Sequence, residues 1–246
     1  MNFRLRHQLF LSVLLLLTVQ LLFAQLPDFP ADRPGLSDAP DLIDKHTWQI
    51  ATGFDISKYN HYGVYQLSQN TLKYGINERL EARLDFAYQY DPNKNVLGVG
   101  PPAIGLKTLL FKQNGYGPKT SFIIEYYPPP FGDTQSATGW SAELCFTHNF
   151  KNGNNFYYNA GLNWYDVTVA PTINGLFGFN FQVRDPLNIF TEFYFFKKPL
   201  SNTVFVTDVG VTYQLNKRTL VDFATGLNLS NINGNFYFDG GVTYNF

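Results

Sequence analysis

Carboxylates recur along this chain at alternate positions within stretches that are otherwise oily, and that placement limits the chemistry open to them. Asp55, Glu81, Asp85, Glu125, Glu143, Glu192, Asp208, Asp222 and Asp239 each fall on the polar side of a period-two pattern. Arg83 and Lys107 stand among them, with Lys73 as a further candidate. Acidic side chains ringing a common space favour cations, so one reading is a weakly cation-preferring solute path. The other is a set of internal salt bridges that fill the space and conduct nothing. Acids outnumber bases, so full pairing calls for Arg33 or Lys45 from the segment that precedes the first alternating stretch. Catalysis is not expected. Beyond residue 24 the histidines are His46, His61 and His148; the same-face neighbours of His148, Phe146 and Phe150, offer no nucleophile. These histidines and the lone Cys145 are too scattered for a metal set, and no metal or cofactor is expected. Cys145 reads as a small wall residue with no disulfide partner.

The elements that must position these side chains are strands. From Phe236 to Phe246, Phe236, Phe238, Gly240, Val242, Tyr244 and Phe246 fall on one face; Tyr237, Asp239, Gly241, Thr243 and Asn245 fall on the other. Strict alternation marks a strand with one oily and one wet side. About twelve such stretches follow one another from Thr47 onward. Leu80–Tyr90, Ala103–Phe111, Lys119–Tyr127 and Leu187–Lys197 are clear; Gly63–Gly75 is the weakest, because Gln66, Ser68, Gln69 and Asn70 leave neither face apolar. Asn77-Glu-Arg, Asn114-Gly115, Asn152-Gly153, Asp185-Pro186 and Asn216-Lys-Arg218 are tight polar turns, and short loops such as Asp91–Gly100 and Pro128–Ser136 alternate with them. Short loops argue against an adhesive surface, although the stiff Pro128-Pro-Pro-Phe131 loop offers a contact point.

Aromatic residues make up 17% of the chain while the mean hydropathy is only −0.16, which is what alternating lipid-facing and water-facing positions produce. A soluble sandwich would instead show a Lys- and Glu-rich outer face. The apolar faces here have almost no charge in their middles, and Trp48, Tyr88, Tyr90, Tyr126, Trp164 and Tyr244 gather near strand ends, as interface girdles do. Only a closed barrel satisfies every backbone group in lipid. The fold expected is all-β: a transmembrane antiparallel up-and-down barrel of about twelve strands. Arg4 and Arg6, the apolar run Leu9–Phe23 and the small Ala24 form an N-terminal signal peptide over residues 1–24. Its removal leaves 16 basic against 19 acidic residues, a net charge of about −3, which excludes a nucleic-acid footprint.

Two resemblances sharpen this. A closing strand ending in Phe246 resembles the terminal signal of bacterial outer-membrane barrels that the barrel-assembly machinery reads. Asp32-Arg-Pro-Gly35, Ser37, Trp48-Gln-Ile50 and Gly53-Phe54, with Gly210-Val-Thr-Tyr-Gln-Leu-Asn-Lys-Arg218, Val221-Asp222 and Gly241-Val-Thr-Tyr-Asn-Phe246, are similar to the outer-membrane transporter family named after the meta-pathway of phenol degradation. Ala51 departs from it, standing where an acidic residue is expected. The resemblance implies a barrel in the outer membrane of a Gram-negative cell and passage of aromatic solutes.

The organisation expected is therefore a signal peptide at 1–24, a Pro- and Asp-rich segment at 25–46 in the periplasm or tucked into the barrel mouth, and the barrel at 47–246. Asp32 and Arg33 are candidate anchors of a plug, or else part of a surface turn at the rim. The function expected is passive passage of small solutes, with outer-membrane lipid, the assembly machinery and the solute as partners. The alternative is a filled, non-conducting barrel with a structural or surface-interaction role.

Overall fold

The computed structural model describes residues 29–32, 37–59, 62–91, 95–100, 102–129, 138–164, 169–231 and 235–246. The signal peptide expected at 1–24 and Arg33 lie outside these residues, as do His61 and most of the Pro128–Ser136 loop. The strands are β1 Trp48–Tyr59, β2 Tyr62–Asn77, β3 Leu80–Asp91, β4 Val96–Val99, β5 Ala103–Phe111, β6 Lys119–Tyr127 and β7 Gly139–Asn149. They continue with β8 Asn155–Trp164, β9 Thr172–Arg184, β10 Leu187–Lys197, β11 Val204–Asn216, β12 Thr219–Asn228 and β13 Phe236–Asn245.

Each strand pairs antiparallel with its sequence neighbour, and β1 pairs with β13 in a register that sets Gln49 opposite Asn245 and Lys58 opposite Phe236. The sheet closes on itself as a twelve-stranded antiparallel barrel, which leaves no edge to blunt. β4 is not a thirteenth stave. It pairs with the far end of β3, Tyr88 to Asp91, while β5 pairs with the near end, Leu80 to Asp85, so β4 and β5 are two pieces of one barrel strand. Asp91–Gly100, expected as loop, is corrected to that extent. The break falls at Gly100-Pro-Pro102, whose prolines carry no N–H for a ladder. The β5–β6 ladder likewise stops at Ile104 opposite Tyr126, just before Pro128 and Pro129.

Gly63–Gly75, the faintest stretch in sequence, lies within the longest strand, β2. Both its neighbours hold it by backbone bonds, which need no side-chain pattern. One rim carries the tight turns. Asn77 and Asn216 side chains each accept from the backbone N–H of the arginine two residues on, at 2.8 Å. Gly115 and Gly153 supply the positive φ, 58° and 81°, that their turns require.

Polarity is inverted relative to a soluble domain. Gln49, Glu81 and Lys107 have no exposure at all, whereas Phe111 and Val99 are each 67% exposed and Phe177, Phe179 and Phe181 line one strand's outer face. The period-two pattern places the charges on a common inner surface and the aromatic residues outside.

Candidate functional site

The inner surface holds more than the strands' own side chains. Residues 29–32 and 37–46 lie against it from the turn rim inward. At their base His46 N–H donates to the Gly75 carbonyl at 2.6 Å, and Gly75 N–H to the Thr47 carbonyl at 3.1 Å. A side chain at Gly75 would run into the Asp44 carbonyl, so the segment seats only because that position has no Cβ. Further along, Ile43 N–H donates to Glu81 Oε2 at 3.0 Å and Lys119 pairs with Asp41. Asn159 Nδ2 donates to the Asp38 carbonyl at 3.0 Å, Ser37 Oγ to Glu192, and Gln49 Nε2 to the Pro30 carbonyl at 2.7 Å. Contacts therefore reach β1, β2, β3, β6, β8 and β10. Of the two placements expected for residues 25–46, the described part takes the barrel mouth.

Asp32 is the hub. It bonds to Lys73, lies 3.1 Å from Lys107 Nζ and 3.7 Å from Arg83 Nη1, and accepts from Ala39 N–H at 3.2 Å. Burial alone would raise its carboxyl pKa, but the charges of Lys107, Lys73 and Arg83 together hold it well below the usual carboxylate range. Arg83 Nη1 also donates to Asp38 Oδ1 at 2.8 Å, and its Nε lies 3.2 Å from Glu125 and 3.5 Å from Asp85. Burial, only partly offset by Arg83, pushes the Asp38 carboxyl upward. Gly105 sits between Arg83 and Glu125; a Cβ there would come within 2.8 Å of Arg83 Cγ. Glu81, Arg83, Asp85, Lys107 and Glu125, predicted as inward residues, thus converge on one stretch of wall. Asp32, the anchor candidate that lies among the described residues, binds it.

The remaining predicted residues lie elsewhere on the wall. Glu192 accepts from Tyr157 at 2.8 Å and from Tyr194 at 3.2 Å, and Asp208 accepts from Tyr194 and Tyr237. Glu143 accepts from Asn159 at 2.6 Å and Asn174 at 3.0 Å, beside the fully buried free thiol of Cys145. Asp55 and Asp239 are directly opposite across β1 and β13, and Asp222 follows on β12. Between the segment and the β7–β13 wall lies a cavity of about 770 Å³, lined by Asp32, Tyr157, Phe190 and Glu192 and by the turn-rim residues Lys217 and Arg218.

Full pairing of the wall was expected to need Arg33 or Lys45 from the leading segment. Arg33 lies outside the described residues; Lys45 turns outward to Glu78 at 3.2 Å, and the segment's Asp32, Asp38 and Asp41 meet wall cations. Lys73, Lys119 and the three tyrosines were the residues underrated. The available signal was that the wall's lysines and arginine cluster on consecutive strands while the segment before them is rich in aspartate. His148 stacks on Phe156 and Tyr158, and among the described residues no three His, Cys, Asp or Glu form a metal-binding group.

Solved structures with a similar outline include the translocator domain of the autotransporter NalP from Neisseria meningitidis, at 12% identity over 84% of this chain and 90% of that one, TM-score 0.44. The transport unit of the autotransporter AIDA-I from Escherichia coli shares 10% identity over 82% and 91%, TM-score 0.47. Pseudomonas putida OprB shares 10% over 81% and 91%, TM-score 0.41. At such identities and TM-scores the likeness says nothing about what this chain does. No curated protein matches it. The sequence profile described as "Putative MetA-pathway of phenol degradation" matches residues 31–246, nearly all of the barrel and the segment inside it, and the chain belongs to that family.

Proposed function

We propose that this protein is an outer-membrane channel of a Gram-negative cell, closed at rest by residues 29–32 and 37–46 and passing small solutes, aromatic ones included, when they withdraw. The inverted polarity of the wall supports a lipid surround. In that setting residues 1–24 serve as the signal peptide, and the turn rim faces the periplasm. The aromatic solute class rests on family membership. No catalytic role is read into the lumen, where Asp32, Glu125, Glu143, Glu192 and Asp208 are held by cations, hydroxyls and amides.

The observation that carries the proposal is the way the segment is held. It sits beside a cavity of about 770 Å³ and is fastened mainly by ion pairs and polar bonds that water and ions are able to replace, with Pro40 and Ile43 as its buried apolar residues. The density of those bonds also favours a second reading, a permanently filled barrel. Planar-bilayer conductance of the mature protein with and without residues 26–46 separates the two. Current that appears or rises on truncation supports the channel. Silence from both forms, with heat-modifiable gel mobility showing a folded barrel, leaves the filled barrel.

A further inference from the structure

Asp32 stands between two unlike surroundings. On one side are the buried cations Lys73, Lys107 and Arg83; on the other is the 770 Å³ cavity, whose lining includes Asp32 itself. Among the described residues, Asp32 is the carboxylate within ion-pair distance of Lys73 and of Lys107. Both ammonium groups are buried. Arg83 is divided: its Nε side faces Glu125 and Asp85 of the wall whatever the segment does, while its Nη1 end turns to Asp38 and Asp32 of the segment. The wall thus directs two ammonium groups at Asp32 and shares one guanidinium end between Asp38 and Asp32, and the chain fills that place with side chains of its own.

A buried ammonium stripped of its counter-ion is costly, so the segment leaves readily only when another anion takes the place of Asp32. The cavity supplies the approach. The exposed Lys217 and Arg218 line it at the turn rim, and Phe29, Phe190 and Leu220 give the cavity that Asp32 borders its apolar surface. The other lumen carboxylates repel an anion, which confines the attraction to this one stretch of wall.

The geometry points to a carboxylate-binding site formed by Lys73, Lys107 and Arg83, occupied in cis by Asp32 and open by exchange to small monocarboxylates with an apolar body. It rests on the reading of the lumen as a solute path, but binding is measurable without passage.

Isothermal titration calorimetry of the full chain in detergent micelles tests it, with benzoate as probe and benzamide as its neutral counterpart. Wild type binds benzoate weakly, because the tethered carboxylate competes at high effective concentration. Asp32→Ala binds it about tenfold more tightly or better, gains nothing for benzamide, and loses the benzoate gain when Lys107→Met is added. Equal benzoate affinity in wild type and Asp32→Ala, an equal gain for benzamide, or a gain that survives Lys107→Met overturns the site and makes Asp32 a structural ion-pair partner. Should Asp32→Ala lose heat-modifiable mobility, Asp32→Asn, which keeps the shape and drops the charge, undergoes the same comparison. Binding without conductance would end the channel reading and keep the site; conductance without binding would do the reverse.

Discussion

The two halves of the lumen wall solve the same problem by different means. On β2, β3, β5 and β6, buried carboxylates and cations answer one another, and the leading segment adds Asp32, Asp38 and Asp41 to that exchange. Across the lumen, on β7 to β11 and β13, Glu143, Glu192 and Asp208 are held by neutral donors, the amides of Asn159 and Asn174 and the hydroxyls of Tyr157, Tyr194 and Tyr237. A carboxylate held by hydroxyls and amides needs no cation from another segment, even where Ser37 of the leader adds a bond to Glu192, so that wall is able to border an open cavity. The cationic wall has charge directed inward, and the acidic segment lies on that side. The difference explains why the 770 Å³ space falls between the segment and β7–β13.

Changes on the two walls should therefore have separable effects. The largest belongs to Arg83, which touches four carboxylates from inside the barrel. Arg83→Met leaves Asp38, Asp85 and Glu125 without their cation, while Asp32 keeps Lys73 and Lys107, and should cost about 3–5 kcal/mol in denaturant unfolding, with conductance rising as the segment loosens. Gly75→Val comes next. It places a side chain where the Asp44 carbonyl lies and should unseat the segment at its base, at a cost of about 1–3 kcal/mol. The check is conductance that approaches the truncated form while the barrel keeps its heat-modifiable mobility. Tyr194→Phe removes a hydroxyl shared by Glu192 and Asp208 and should cost about 1–3 kcal/mol. Because it lies on the neutral-donor wall, its conductance should match wild type; a leak as large as that of Arg83→Met would break the contrast between the walls. Lys45→Ala is the smallest. Its pair with Glu78 is solvent-exposed, and its loss should shift stability by no more than about 1 kcal/mol and leave the current unchanged.

Much of the barrel was legible because alternation is a local property. Leu80–Asp91, Ala103–Phe111, Lys119–Tyr127 and Leu187–Lys197 emerge where period-two patterning predicts them, to within a residue. β4 was hidden by the proline break that separates it from β5, and by its four-residue length. The inward direction of Arg83, Lys107, Glu81 and Glu125 was legible for the same reason, whereas their company was not. Asp32 meets Lys73 across 41 positions and Lys107 across 75, and Asn159 meets Asp38 across 121. No pattern of neighbours encodes such distances; closure of the sheet and the seating of the segment bring them together.

By itself, then, the sequence determined a chain of amphipathic strands with charge on one face and aromatic residues on the other, because side-chain direction in a strand follows from position alone. Tertiary structure decided which charges meet, that the acidic leader lies inside on the cationic side, and that Asp32 fills a place built from β2, β3 and β5. Those outcomes depend on which strands become neighbours once the barrel closes and on where Gly75 leaves room for the chain to enter.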